Sequence, residues 1–402
     1  MNDLFNPRTA FVPSAGLRKI EAGNARRYLY LLKKSCRENS LLICISAIYY
    51  FFCAAIQKHY DTPISPLHDI GATYISVLIA LALSCFCVFA LWFLYLKRIK
   101  RQPDLLTFVG KRLRDDYLSA SRLMLALPVL LIWPVFVSSF SYLKVLIPIF
   151  KPYVWDVALM TWDQRLHFGR LPWEWLDPLF GHTISLFVLN WTYTVWFLAM
   201  MTALLLQVAN MRNRRLRAQY LLAQTILWPL MGNLVAMILS SAGPCYFGQL
   251  NPGADPYAGQ MAHLHTISQS LGFSIFGTFF HVPLTALSMQ THLWNGYTSG
   301  RFEAGLGISA APSLHVASSW LIARLCSAYG RRAAVCGFIF LALIFIASIE
   351  LGWHYAIDGY LGMFGAWCCW RLAGGILSLT VVKRLLWGIP RNPEAETIPA
   401  SQ

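Results

Sequence analysis

Residues 333–351 read AAVCGFIFLALIFIASIEL, and Glu350 is the one charge among them. A helix needs about 20 apolar residues to cross the hydrocarbon core of a bilayer, so this run reads as a membrane span. Arg331 and Arg332 close one end of it, which places that end at the cytoplasmic face. The run before them, about 312–329, and the run after Leu351, about 355–381, are apolar in the same way. Three spans therefore cross one membrane back and forth. The inner turn is basic, and the outer turn falls near Gly352 to His354.

The pattern repeats further out. Apolar runs at about 41–57, 74–96, 123–143, 183–208 and 219–240 bring the expected number of spans to about eight. The chain is 57% hydrophobic and only 13% charged, where a soluble domain would be roughly a quarter charged. The expected fold is all-α, a polytopic membrane helix bundle. Pro128 and Pro134 interrupt the third span, where neighbouring helices can re-satisfy the backbone. Trp155, Trp162, Trp173 and Trp175 suit the water–lipid boundary, so residues 151–182 read as helices lying in the outer interface. Residues 245–310 form a long outer segment. Its apolar part near 270–290 reads as a re-entrant or interfacial helix, or as a pair of short spans.

The net charge of +15 does not point to nucleic acid. The basic residues lie in short clusters such as KRIKR (97–101) and RNRRLR (212–217), between apolar runs. That is the pattern of cytoplasmic loops facing anionic headgroups. Both termini are then expected in the cytoplasm, and all ten histidines fall at or beyond the outer boundary. No cleavable signal peptide is visible, so the first span would serve as its own insertion signal. These features suit a bacterial inner membrane. Ten cysteines lie mostly in apolar runs and form no disulfide framework.

Two short stretches carry chemistry. GISAAPSLH (307–315) brings Pro312, Ser313 and His315 to the start of an apolar helix. Helix N-terminal N–H groups attract phosphate. The Ser313 hydroxyl can donate to a phosphate oxygen, and His315 can act as a general acid. A plain helix cap with an interfacial histidine explains the tetrapeptide equally well. GWHYAID (352–358) puts His354 and Asp358 four residues apart, on one face if the segment is helical. Asp358 can hold one ring nitrogen of His354 and leave the other nucleophilic. A structural ion pair is the alternative. The two stretches fall about forty residues apart, at the same expected membrane face, and together they read as one site.

PSLH followed by HxxxD resembles the type-2 phosphatidic acid phosphatase superfamily over roughly residues 220–375. The resemblance implies His354 as the nucleophile that attacks phosphorus, Asp358 as its partner and His315 as the acid for the leaving group. The chain departs from the broad pattern in three places. Leu314 stands where most members have glycine, Ser348 where most have arginine, and the first motif KxxxxxxRP has no match beyond Pro244 in SSAGPCYF. SLH and the weak first motif look more like the inositol phosphorylceramide synthase branch, which transfers a head group from a phospholipid to a lipid alcohol.

The missing cations leave phosphate charge to be balanced. Ser313 and Arg301 are the expected phosphate-binding residues, with Arg165, Arg170, His263, His265 and His281 behind them. An ordinary loop arginine is the plain reading of Arg301. Glu350 and Asp163 are expected at the head-group or acceptor pocket, with structural pairing as the alternative for each; Glu350 could pair with Arg301. No carboxylate cluster suggests a metal, and no cofactor is expected. The expected domains are a basic cytoplasmic segment (1–40), an N-terminal transmembrane pair with its loop (41–122), a catalytic membrane domain (123–385) and a disordered tail (386–402). The expected partners are a membrane phospholipid donor and a lipid alcohol or water as acceptor. A lipid phosphate phosphatase is the close alternative, and a metal- or haem-binding membrane protein the distant one.

Overall fold

The computed structural model describes residues 24–388, apart from 63, 113–118, 209, 211–212, 276–277, 302 and 304. Of the expected tail, residues 386–387 belong to the last helix and residues 389–402 lie outside the described residues, as do residues 1–23 of the basic N-terminal segment. The helices in chain order are α1 (Asn24–Glu38), α2 (Ser40–Tyr60), α3 (Ile70–Tyr95), α4 (Leu105–Arg112), α5 (Ala120–Phe150), α6 (Asp156–Leu166), α7 (Pro172–Phe180), α8 (Thr183–Thr194) and α9 (Trp196–Val208). They continue with α10 (Arg214–Pro229), α11 (Ala236–Ile238), α12 (Phe247–Leu250), α13 (Ala258–Ser270), α14 (Thr285–Thr298), α15 (Leu314–Ser327), α16 (Arg331–Glu350), α17 (Ala356–Ile376) and α18 (Thr380–Trp387).

This is a helical membrane bundle. Five stretches are single helices long and apolar enough to span: α2, α3 with its extension to Lys100, α5, α10 continued to Ile238, and α16. Two bent pairs add two more if each is one span: α8 with α9, bent by 40°, and α17 with α18, bent by 78°. The remaining expected span, α15, is a helix of only 14 residues. At 1.5 Å per residue it covers about 21 Å, short of a full hydrocarbon core. It is short because the chain before it, from Gly307 to Pro312, is a buried non-helical loop. Helix α5 runs unbroken through Pro128, Pro134 and Pro148.

Residues 270–290 differ from expectation. Gly272–Ile275 pairs antiparallel with Thr278–His281, with Phe273 opposite Phe280, and α14 follows. Two four-residue segments rich in Phe, Thr and Ile suit a hairpin, and neither is long enough for a helix that spans.

The main core joins α2, α3, α5, α9, α10, α15, α16, α17 and α18. Trp133, Phe136, Phe140 and Trp228 pack at tilted angles through its middle, with the Phe140 and Trp228 centroids 4.6 Å apart. Helix α3 turns Ile75, Leu78, Ile79, Leu83 and Phe86 outward, as a lipid-facing helix does. At the end of the bundle that carries Arg214 and Arg217, α1 docks through Glu38. Its carboxylate pairs with Arg214 and with the buried Arg217, and Arg217 also donates to Asn39 Oδ1 at 3.1 Å. This arrangement fixes α1 beneath α5 and α10 and leaves the opposite end of the bundle to the loops that matter below.

Candidate functional site

Ser313 is the N-cap of α15. Its Oγ accepts from the Val316 N–H at 3.4 Å, as capping serines do. Pro312 therefore precedes the cap and does not occupy the first helical turn. The Ser313 N–H donates to the Asp358 carbonyl at 3.0 Å, so the start of α15 is tied to the start of α17. Gly362 allows that approach: a Cβ there would lie 2.5 Å from the Ser313 carbonyl oxygen.

The second stretch is a tight loop between α16 and α17. The N–H groups of Trp353 and His354 both donate to the Ser348 carbonyl at 3.0 Å. Ser348, 1% exposed, thus takes its place as a buried acceptor of loop amides. The carbonyls at the end of α16 are met by two glutamines. Gln260 Nε2 donates to Ile349 and Glu350 at 2.7 and 3.1 Å, and Gln290 Nε2 to Leu351 at 2.8 Å. Helix ends leave such carbonyls unpaired, and these side chains supply the partners.

His354 is not on a helical face with Asp358, because α17 begins only at Ala356. The loop still brings them together, with Nδ1 3.5 Å from Asp358 Oδ2. The nearer partner is Ala310: His354 Nδ1 donates to its carbonyl at 2.9 Å. A proton held on Nδ1 leaves the lone pair on Nε2. Burial pushes the His354 imidazole down to about 3, the Lys144 ammonium adds to that, and the Ala310 carbonyl opposes it. The ring is therefore neutral near pH 7. The ring of His315 lies 5.8 Å from that of His354, centroid to centroid. Tyr193 stacks on His315 at 4.4 Å and Trp196 packs at 4.2 Å, one residue on either side of the bend between α8 and α9. Trp353 stacks on Tyr193 in turn, at 6.0 Å. Two imidazoles thus lie close together, tilted by 56°, beside an aromatic wall.

Helix α6 braces both loops with two buried carboxylates seven residues apart. Asp156 accepts from the N–H groups of Ala242 and Gly243 and from the Tyr355 hydroxyl. Asp163 accepts from the N–H of Ala356 at 2.6 Å and of Ile357 at 2.8 Å, the open N-terminus of α17. Burial pushes the Asp163 carboxyl up to about 7, against the pull of those two amides. The same loops are pinned to one another, because Ala310 N–H donates to the Ser241 carbonyl and Ala311 N–H to Ser241 Oγ.

The structure therefore brings together His315, His354, Asp358 and Ser313, with Asp163 beneath them holding the backbone. Arg301 is exposed, and its Nε donates to Ser299 Oγ at 3.3 Å. Glu350 is 3% exposed, with Oε1 unpartnered. No ion pair joins it to Arg301 among the described residues. Arg170 lies over Trp175, His263 contacts the Gly181 carbonyl, and His281 the Ser268 carbonyl. Among the described residues no three His, Cys, Asp or Glu side chains converge as a metal site would require. An open cleft of about 370 Å³ between α6 and residues 251–256 is lined by Val157, Gln164, Phe247 and Asp255, and by neither histidine.

Reading the sequence missed the aromatic wall and Lys144. Lys144 sits one residue past the expected end of the third span, and its signal was KVLIPIFKP (144–152), which keeps the KxxxxxxRP spacing with lysine for arginine and corrects the expectation that this motif has no match. Tyr193 and Trp196 gave no signal, being two aromatics among many.

A family model described as the PAP2 superfamily matches residues 157–372, which include both histidines, Asp358 and the α6 carboxylate Asp163. No curated protein and no solved structure matches the chain.

Proposed function

The chain belongs to the PAP2 superfamily, and from that premise we propose that it is a membrane phosphotransferase that moves a phosphate-linked head group from a phospholipid to a lipid alcohol. His354 Nε2 attacks phosphorus as the bond to the donor's leaving oxygen breaks. His315, as imidazolium, gives that oxygen its proton. The acceptor hydroxyl then loses its proton to His315 and attacks the phosphohistidine, which frees His354. Asp358 and the Ala310 carbonyl hold the tautomer. The α15 N-terminus offers N–H groups to the phosphate. Ser313 Oγ accepts in its cap and can still donate its own proton.

The observation that carries this reading is the pairing of a neutral His354, protonated on Nδ1, with a second imidazole 5.8 Å away. The aromatic wall around His315 supports transfer over hydrolysis, because it limits water where the acceptor must come. The same residues would serve a lipid phosphate phosphatase, with water as acceptor. The active face is assigned to the outer side, the periplasm of a bacterial inner membrane, with both termini cytoplasmic. The basic clusters after α3 and at the start of α10 support this orientation. The catalytic domain is assigned to residues 123–385.

The test uses purified protein in nanodiscs and a panel of radiolabelled phospholipids, each with and without ceramide or diacylglycerol. Label passing to a new lipid with wild type and not with His354→Ala supports transfer. Free phosphate from wild type alone supports the phosphatase. Equal activity in both proteins removes the phosphohistidine.

A further inference from the structure

The end of the bundle opposite the histidines carries a second concentration of charge. Arg214 is the first residue of α10, and the span runs from it to Ile238 over 25 residues. At 1.5 Å per residue that is about 37 Å. The cluster around Arg214 is thus a membrane thickness away from the proposed transfer chemistry.

Three guanidiniums surround one carboxylate there. Glu38 pairs with Arg214 and with Arg217, which is 3% exposed. Arg217 also meets Asn39 Oδ1, and the Nε atoms of Arg214 and Arg217 are buried without partners. Arg37, next to Glu38 on α1, is exposed and has no acceptor among the described residues. Burial holds the nearby Lys34 ammonium below its usual value. Glu38 works against that, and the Arg214 and Arg37 charges add to it, so both guanidiniums lie near one point.

Apolar surface flanks the charge. Helix α18 turns 78° from α17, which lays it across this end of the bundle. It buries Leu386 and exposes Val381 and Leu385, with exposed Leu379 just ahead of them. The glycine that ends it meets the cluster, since a Cβ on Gly388 would lie 3.4 Å from Arg37 Nη1. On α1, Arg26, Tyr30, Lys33 and Arg37 fall on one exposed face. Basic and apolar residues together on short amphipathic helices suit the boundary between headgroups and acyl chains.

We infer that this end of the protein binds an anionic phospholipid of the adjoining leaflet, with the phosphodiester held by Arg37 and Arg214 and the acyl chains laid against α18. Guanidinium forks match phosphate oxygens. A headgroup with its own ammonium would meet the excess positive charge, so a net negative lipid fits better than a zwitterionic one. The exposed leucines and valine beside the cations favour a lipid over a soluble anion. This inference is independent of the phosphotransfer reading.

Thermal unfolding of the full chain in detergent tests it, with short-chain phosphatidylglycerol, short-chain phosphatidylcholine and inorganic phosphate as separate probes. Wild type is expected to be stabilised saturably by phosphatidylglycerol alone. In Arg37→Gln the half-saturating concentration is expected to rise about tenfold, the effect of losing one charge-assisted hydrogen bond. Arg214→Gln is expected to do the same; if losing the Glu38 pair leaves it unfolded, Arg37→Gln decides. Lys97→Gln removes an exposed charge just after α3, outside the cluster, and is expected to leave half-saturation unchanged. His354→Gln is expected to respond as wild type. Half-saturation equal to wild type in folded Arg37→Gln overturns the site. An equal rise in Lys97→Gln overturns it as well, by making the effect one of general surface charge. Equal stabilisation by phosphatidylcholine or by inorganic phosphate overturns the anionic lipid as occupant. A response lost in His354→Gln overturns the proposal by moving the lipid to the histidines.

Discussion

His354 leans on Ala310: its Nδ1 donates to that carbonyl at 2.9 Å, while the Asp358 carboxylate stands 3.5 Å away. Two acceptors therefore hold one tautomer, and the carbonyl is the nearer. Asp358→Asn is expected to slow transfer by about 10–100-fold, the usual effect of a supporting hydrogen bond. His354→Gln is expected to abolish it. Single-turnover transfer of radiolabelled lipid checks both. A loss in Asp358→Asn as complete as in His354→Gln would show that the carbonyl cannot hold the ring alone.

The same ring predicts a pH effect. Burial, aided by Lys144, holds folded His354 at about 3, while an unfolded histidine titrates near 6.5. Between those values the unfolded chain takes up a proton that the folded protein refuses. The stability contributed is whole above about pH 6.5 and is lost as pH falls toward 3. Between pH 7 and pH 5 wild type is expected to lose about 2 kcal/mol more than His354→Gln. Chemical unfolding of both proteins in detergent at the two pH values measures this. Parallel losses would mean that the imidazole is hydrated, not buried.

Gly362 lies where α17 meets the Ser313 carbonyl. Gly362→Ala inserts a methyl at a contact already closed, so α15 and α17 must part. Because His315 rides on α15, its ring moves away from His354. An ångström of misplacement costs about a hundredfold in rate, so kcat should fall by about 10–100-fold. Stability should fall by about 1–3 kcal/mol. The kcat deficit is expected to persist well below the melting temperature, which is the measurement that separates displacement from partial unfolding.

Asp163 answers two backbone amides at the start of α17. Asp163→Asn keeps the shape and loses an acceptor, which should cost about 1–3 kcal/mol. The loss in activity is expected in kcat, since the amides it holds carry the loop of His354. A rise in KM with kcat unchanged would place Asp163 against the substrate head group instead.

Glu38 lies beneath the bundle beside the buried Arg217. Glu38→Ala leaves that guanidinium with Asn39 alone, and breaking a buried pair this way costs about 3–5 kcal/mol. Limited proteolysis should then cut α1 faster than in wild type. Equal cutting would mean that apolar packing against α5 suffices to hold it.

The spans were legible because about 20 apolar residues between basic clusters admit few alternatives. The two histidine stretches were legible because residue type and order carry their chemistry. What spacing could not show was where helices start. His354 and Asp358 meet across a loop turn because α17 begins after Tyr355, and Pro312 stands outside α15 because Ser313 caps it. Asp163 read as a pocket residue because nothing local to α6 reveals amides 193 positions away. Lys144 was obscured because lysine stands for arginine at Lys151, so the KxxxxxxRP spacing of 144–152 does not match letter for letter.

The bracing of the site by α6 bears on how the protein is made. Asp156 must wait for Tyr355, 199 residues later, and Asp163 for Ala356. A chain leaving the ribosome inserts its first spans long before those partners exist. Until α17 has entered the bilayer, the loop of His354 is held from one side only, by Ser348 and Ala310, and lacks both the Asp163 anchor at Ala356 and the Asp358 carboxylate.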